Sequence, residues 1–381
     1  MIAYADYFTD ARIKNYVEAL LKDGYEVDVF ALGRPETTRP GLRVFCLMPK
    51  VVSRHVSAYV FSQLWFLVVA AFRVGLAHLR RRYRVVHIHN LPDFIVFAAL
   101  IPKLFGAKLI LDIHDTMPEA FATKFAKPLD HPIIRAIRCE ERVSAAFVDH
   151  VITTNDLHKE ALISHGLPAG KISIVMNLGN QAIFHPRPSR ERQDALTLAY
   201  HGTVAARLGP DLILDAIRRV RRDCPGLRFV LIGDGDFMPT VKELILNYGL
   251  QDIVKVEGWV PVEHLPELLA RADVGVVGNR RYTEEYHNWM LPVKMLEYAA
   301  MEIPTIAPRL RIIRRYFDEA SAILYEPDNV DDLARCMREV YEHQDRLDAV
   351  RKGLRAFNAR HNWRSMEQRY LQLITDLIAT R

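Results

Sequence analysis

Apolar positions change period along this chain, and the change recurs. Short runs such as IAYA, YEVDVFAL, VVHIH and KLILDI are apolar on consecutive positions, whereas the stretch at 11–23 places apolar residues every third or fourth position. Runs apolar on both faces suit central strands of a parallel sheet, and amphipathic stretches suit the helices that cross over between them. The first half continues with FIVFAALIPKLFG, VDHVITTN, a helix at 156–166 and KISIVMN. A second series of the same kind follows: LTLAYHG, helix 209–223, LRFVLIGDG, helix 238–249, IVKVEG, helix 263–271, VGVVG, helix 292–301, PTIA, AILYE and helix 329–344. Helices over about 345–379 close the chain.

This alternation predicts an α/β protein of two Rossmann-like, doubly wound parallel-sheet domains. HPRPSRERQD at 185–194 shifts to proline and charge and reads as the linker. The expected division is therefore 1–185, 186–355, and a terminal segment 356–381 packing back on the first domain. Two such domains would face a central cleft lined by the loops after their strands.

Composition narrows the class. At 381 residues, half apolar and a quarter charged, the chain is long enough for two cores and excludes a disordered or fibrous protein. Cys46, Cys139, Cys224 and Cys336 are far apart, which argues against a disulfide framework and a zinc cluster. MIAYADYFTD lacks the pattern of a secretory leader, so a cytoplasmic location is expected.

Charge singles out one segment. Residues 51–100 carry Arg54, Arg73, Arg80, Arg81, Arg82 and Arg84 against the single acid Asp93, an excess equal to the net +5 of the whole chain. The arginines flank VSAYVFSQLWFLVVAAF at 56–72, shorter than the roughly 20 residues that span a bilayer. Two readings stay open for 56–84: a helix buried against a sheet with a solvated basic end, or one resting on an anionic membrane surface. Nucleic acid is not expected as a partner.

The strand-end loops hold the candidate chemistry. HNLPDF (89–94) and HDTMPE (114–119) put His114, Asp115 and Glu119 at a strand terminus; His114 reads there either as a structural hydrogen-bonding group or as a functional one. His87 and His89 leave one face of their strand and read as structural. In YHGTVAARLGPDL, Gly202 ends a strand, Arg207 follows, and Gly209 opens a helix, an arrangement suited to an anion. GDGD (233–236) reads as a turn or, less naturally, as a metal chelator. GWVP would bring Val260 and Pro261 to a cleft rim able to hold a flat base. In NWMLPVKMLEYAAMEIPTIA, Pro292 suits a helix's first turn, and Lys294 and Glu297 share one face at i, i+3. A lysine on phosphate and a carboxylate on ribose hydroxyls would together fit a nucleoside diphosphate.

These segments, with DARIKNYVEALLKDGYEVDVFALG, VVHIHNLPDF, LILDIHDTMPE, VLIGDGD and VEGWVP, occur in an order that resembles the family 4 glycosyltransferases. The resemblance implies the GT-B fold, retention at the anomeric carbon, a nucleotide-sugar donor, no cofactor or metal, and a glycan or lipid-linked acceptor in cell-surface polysaccharide synthesis. By position it assigns His114 to the donor sugar and Glu297 to the donor ribose. It also brings Leu291, Pro292, Val293 and Lys294, in the LPxK form of the segment, to the phosphates, with Gly202, Val260 and Pro261 around the donor. Where the family carries a first glutamate this chain has Trp289, leaving Glu284 or Glu285 as stand-ins. The family's arginine and lysine after the first strand of the second domain fall on Thr203 and Leu208, so Arg207 takes the phosphate charge. With His114, Arg207 and Lys294 the resemblance implies a sugar transferase. A nucleotide-sugar epimerase of the same fold and a non-catalytic membrane scaffold are the alternatives.

Overall fold

The computed structural model describes residues 1–33, 39–49, 56–125, 127–187, 195–281 and 289–379. They form two compact units. The first comprises Met1–Met176 with Arg364–Arg381, the second Asn177–Trp363. The division thus falls ahead of the proline-rich stretch, of which 188–194 lies outside the described residues. The terminal segment that returns to the first unit is also shorter than 356–381.

The first unit is built on a seven-stranded sheet of order β3-β2-β1-β4-β5-β6-β7. Its strands are β1 (Ile2–Asp6), β2 (Val27–Leu32), β3 (Leu42–Met48), β4 (Val85–His89), β5 (Lys108–Ile113), β6 (His150–Thr153) and β7 (Ile172–Ile174), all paired in parallel. Strand β5 is buried from Leu109 onward, as a central parallel strand requires. Helix α1 (Ala11–Lys22) begins at Asp10, whose carboxylate accepts from the Ile13 amide, and buries Ile13, Tyr16, Val17 and Leu20.

Arg12, on the same helix, is the ionic centre of the unit. Its guanidinium grips Asp112 with two bonds of 2.7 and 2.8 Å and also donates to the Val175 carbonyl. Burial works against the Asp112 charge, but Arg12 and His89 outweigh it and hold the carboxyl well below the usual range. His87 and His89 stack at 4.2 Å beside this pair, and Tyr370 bonds His87 Nδ1 at 2.9 Å. Tyr370 belongs to the closing helix Trp363–Ala379. The preceding helix, Asp345–Arg360, belongs instead to the second unit, where Asn358 donates to the Ala299 carbonyl.

A longer helix than the apolar run suggests connects β3 to β4. This helix, α2 (Val56–Arg81), has 26 residues, so the stretch at 56–72 is only its first part. It buries one face, with Phe66, Ala70 and Val74, and leaves the opposite face exposed.

The second unit carries a six-stranded sheet of order β10-β9-β8-β11-β12-β13. The strands are β8 (Leu196–His201), β9 (Leu227–Ile232), β10 (Val254–Gly258), β11 (Val274–Val276), β12 (Thr305–Pro308) and β13 (Ile323–Tyr325), again all parallel. From β8 the chain winds outward through β9 and β10, then returns to add β11 on the other side of β8. At such a reversal the two neighbouring strands send their following loops in opposite directions, and a crevice opens at their C-terminal ends. The first sheet reverses in the same way between β1 and β4.

Candidate functional site

A cavity of about 300 Å³ occupies the crevice of the second sheet. The loop after β8 supplies His201, Gly202, Thr203, Arg207 and Leu208; the segment after β11 supplies Asn279 and Arg280; Met290 to Lys294 and Glu297 close the third side. Gly202, Leu291, Pro292, Val293, Lys294, Glu297 and Arg207, all singled out from sequence, therefore meet in one place. Val260 and Pro261 do not: they follow β10 half-buried and lie outside the lining of this cavity. Their two-strand distance from the β8–β11 reversal is the physical reason.

Backbone fit creates the space. At Gly209 (φ +61°), which caps helix Pro210–Val220, a Cβ would sit 2.1 Å from the Gly278 carbonyl oxygen. The loops after β8 and β11 thus touch backbone to backbone. Arg280 locks the turn between them, since its amide donates to the Arg207 carbonyl, its Nε to that of Ala206, and its guanidinium pairs with Asp211 and Asp328. Arg280 lines the cavity with its charge already used. GDGD has a steric role beside it: the Val204 amide donates to the Asp234 carbonyl, and Gly233 and Gly235 press against the backbone of 202–204.

Arg207 differs from Arg280. It is exposed, and no side-chain bond or ion pair holds its guanidinium among the described residues. Leu208, at the position where the family carries a lysine, is buried.

The third wall is the start of helix Val293–Ala300, with Pro292 as its N-cap, one position before the first turn. The Met295 amide bonds the Pro292 carbonyl, while those of Val293 and Lys294, both residues lining the cavity, precede the first bond of the helix. Lys294 is buried, with Nζ 3.6 Å from the centroid of the Tyr200 ring and no hydrogen-bond partner among the described residues. Burial, with Arg207 nearby, brings its pKa down to about 7 against the pull of Glu297. Burial likewise pushes Glu297 up to about 8, Lys294 opposing. Burial thus disfavours each charged form.

Sequence reasoning missed two members. His201 ends β8 with Nε2 3.5 Å from a Glu297 oxygen, unbonded, its ring against the Tyr298 edge. Burial and then Lys294 lower its pKa to about 3, so it is neutral in use. Asn279 has a buried Oδ1 that is also without a partner among the described residues. Three buried polar atoms around one cavity have no partner among the described residues, which suits a polar ligand, because such atoms left unpaired cost about 1–3 kcal/mol each.

His114 lies in the first unit, half-buried at the end of β5, its amide bonded to Asn90 and its Nδ1 without a partner among the described residues. Glu119 is instead structural: it is buried between Arg138 and His165, both at 3.1 Å. Trp289 is buried, and Glu284 and Glu285 lie outside the described residues.

Two doubly wound parallel-sheet units of this kind are the architecture of the GT-B fold. Comparison with known proteins agrees: residues 9–177 match the glycosyl transferase 4-like domain and residues 195–343 the glycosyl transferases group 1. The chain belongs to the glycosyltransferases of GT-B fold and is a transferase of their class. It is 27% identical to a phosphatidylinositol N-acetylglucosaminyltransferase chain of Arabidopsis thaliana over 84% of this chain and 68% of that one. With the D-inositol 3-phosphate glycosyltransferase of Thermobispora bispora it shares 25% identity over 93% and 86% of the two chains. Among solved structures, sucrose-phosphate synthase from Thermosynechococcus elongatus superposes with a TM-score of 0.78 at 18% identity, covering 100% and 99%. Anabaena HepE in complex with UDP superposes with 0.71 at 14% identity, covering 98% and 99%.

Proposed function

We propose that the crevice of the second unit binds the diphosphate and ribose of a nucleotide sugar, and that the enzyme transfers the sugar with retention to a hydroxyl of a glycan or lipid-linked acceptor. The observation that carries the reading is the buried ammonium of Lys294 at a helix N-terminus, beside the guanidinium of Arg207, both without a hydrogen-bond partner among the described residues. In this reading the Leu291 and Val293 amides and the Lys294 ammonium take the phosphates, Glu297 accepts the ribose hydroxyls, and His114 orients the sugar.

The reaction breaks the bond between the anomeric carbon and the diphosphate oxygen, which keeps the electron pair. The acceptor oxygen bonds to that carbon on the same face, and its proton passes to the leaving diphosphate. The developing charge is met by Arg207, Lys294 and the helix end. With no carboxylate nucleophile assigned, a front-face route is preferred to a covalent intermediate. We further propose that no metal is required and that catalysis takes place in the cytoplasm. The relatives' names place one of them on a phosphatidylinositol and another on an inositol phosphate, which favours an acceptor hydroxyl near a phosphate.

Thermal unfolding with UDP and GDP tests the donor half, since a ligand of the folded state raises Tm by mass action. Arg207→Ala is expected to lower donor turnover about 100-fold, by analogy with loss of one charge-stabilising donor. Undiminished turnover would remove Arg207 from the site. Donor incubated alone should not yield an epimerised free nucleotide sugar, and the anomeric configuration of the product, read by proton NMR, should match the donor.

Proton linkage gives a second check. A diphosphate beside Lys294 raises the ammonium pKa, so binding takes up a proton at pH above about 7. Ribose hydroxyls donated to Glu297 lower its pKa, so binding releases a proton below about 8. The two oppose in the wild type, and Glu297→Gln leaves the uptake alone. Calorimetric titration of the Gln variant above pH 8, in buffers of different ionisation enthalpy, should show up to about one proton absorbed. Release, or none exchanged, contradicts the assignment of Lys294 to phosphate.

A further inference from the structure

We propose that the first unit docks on an anionic lipid bilayer through the outward face of α2 and the adjoining residues 100–105. Phe61, Trp65, Phe72 and Leu104 would enter the interface, with a rim of arginines on the headgroups. The inference concerns the first unit alone and does not depend on the nucleotide reading.

The outward face of α2 is apolar where a surface helix of a soluble protein carries polar groups. Phe61, Leu64, Trp65, Val68, Phe72, Leu76 and Leu79 recur at three- and four-residue steps and are exposed, Phe61 and Phe72 each to 69% and Trp65 to 52%. At about 1.5 Å per residue the stripe is roughly 27 Å long. A second element extends it. Ile101 lies so close to Gly75 that a Cβ there would meet its Cδ1 at 2.7 Å, so the helix Leu100–Leu104 sits flush against α2. Leu100, Ile101, Leu104 and Phe105 are exposed beside it, Leu104 to 75%. So large a contiguous apolar surface marks an interaction site.

Charge identifies the occupant. From 56 to 107 the only acid is Asp93, which is fully buried, whereas Arg73, Arg80, Arg82 and Arg84 are exposed cations and Lys103 is half-buried. Arg81 is taken up by Glu26. The Arg82 guanidinium stands 5.8 Å from the Phe105 ring, at the edge of the patch. An apolar face whose own segment, 56–107, exposes cations and no acid matches an anionic membrane, where each basic residue adds about 1 kcal/mol; the exposed Glu26 offsets Arg81 alone. Two copies of this face would bring like charges together, which disfavours self-association.

By length and composition Val60–Arg81 could cross a bilayer. Its inner face prevents this in the folded unit: Ser62 is bonded to the Tyr4 hydroxyl, and Gln63, Phe66 and His78 are buried. The helix therefore lies in the plane of the membrane. Because α2 leads from β3 to the parallel strand β4, it runs against the strands, and its first turns lie toward their C-terminal edge.

Co-sedimentation with vesicles of equal parts phosphatidylglycerol and phosphatidylcholine tests the proposal, with pure phosphatidylcholine as the control. The full chain should pellet with the mixed vesicles and less so as salt rises. Phe61→Ser/Trp65→Ser/Phe72→Ser should lower partitioning at least tenfold with Tm unchanged or raised, since these side chains are exposed. Arg80→Ser/Arg82→Ser/Arg84→Ser should remove the preference for the anionic vesicles. Brominated lipid should quench the wild-type tryptophan emission more than that of Trp65→Phe, a reading that holds even where the triple variant fails to fold. The proposal is overturned by wild type that stays in the supernatant, by a triple variant that partitions like wild type, or by equal quenching. A wild-type dimer that the triple variant turns into a monomer would also overturn it, by giving the face to a second copy.

Discussion

Lys294→Met is expected to lower donor kcat/KM by about 100- to 1,000-fold, roughly 3–4 kcal/mol of lost phosphate stabilisation, while being as stable as wild type, or more so, when no nucleotide is added. The two effects have one cause. Lys294 is buried over the Tyr200 ring with no bond from Nζ among the described residues, and burial holds its pKa down to about 7. The fold thus carries a cation against its own preference, and methionine, of similar length and without charge, relieves that cost. A residue kept for stability would behave in the opposite way. Donor kinetics and thermal unfolding of the same variant separate the cases: a lower Tm with unchanged kinetics would make Lys294 structural.

Gly233→Ala is the second large effect, acting on the fold and the site at once. Gly233 ends β9 at φ +147°, where an L side chain is strained, and a Cβ there would sit 1.9 Å from the Gly202 carbonyl oxygen. The strain and the overlap together cost about 3 kcal/mol or more. The obstacle is backbone, so the loop 202–204 must move, and with it the floor beneath Arg207. Chemical denaturation should show the second unit weakened and nucleotide stabilisation lost. Asp234→Ala, at an exposed neighbour, should do neither; if it did, GDGD would act through its carboxylate and not through its glycines.

The architecture was readable because both sheets are parallel. Runs such as LILDI and VVHIH, apolar on consecutive positions, have no other stable place, and their alternation with amphipathic stretches sets the order of elements. Lys294 and Glu297 were readable for a related reason, as charges inside a helix whose other positions are apolar. His201 and Asn279 were not, since each is one polar residue at the end of an apolar run, the commonest pattern in the chain. What marks them is the reversal of strand order between β8 and β11, and that depends on pairings a linear reading does not give. Arg12 and Asp112 stayed hidden because the partners are 100 residues apart. Nothing within the strand KLILDI points to the guanidinium that pairs with Asp112. Val260 and Pro261, on the loop after β10, lie outside the lining of the cavity at the β8–β11 reversal, which a linear reading does not reveal.

The helix over 56–81 exposes a limit of hydropathy. Its sequence is apolar around most of its circumference, and that alone cannot tell a helix sunk in a core from one with a single face covered. Only the accessibility of Phe61, Trp65 and Phe72 separates them.

The most direct test of the central claim is amide hydrogen exchange of the full chain with and without a saturating nucleoside diphosphate, UDP first and GDP second. The account predicts slowed exchange concentrated in the peptides covering Gly202–Leu208 and Leu291–Glu297. Saturable binding that leaves both segments unprotected, or no binding of either nucleotide, would contradict it.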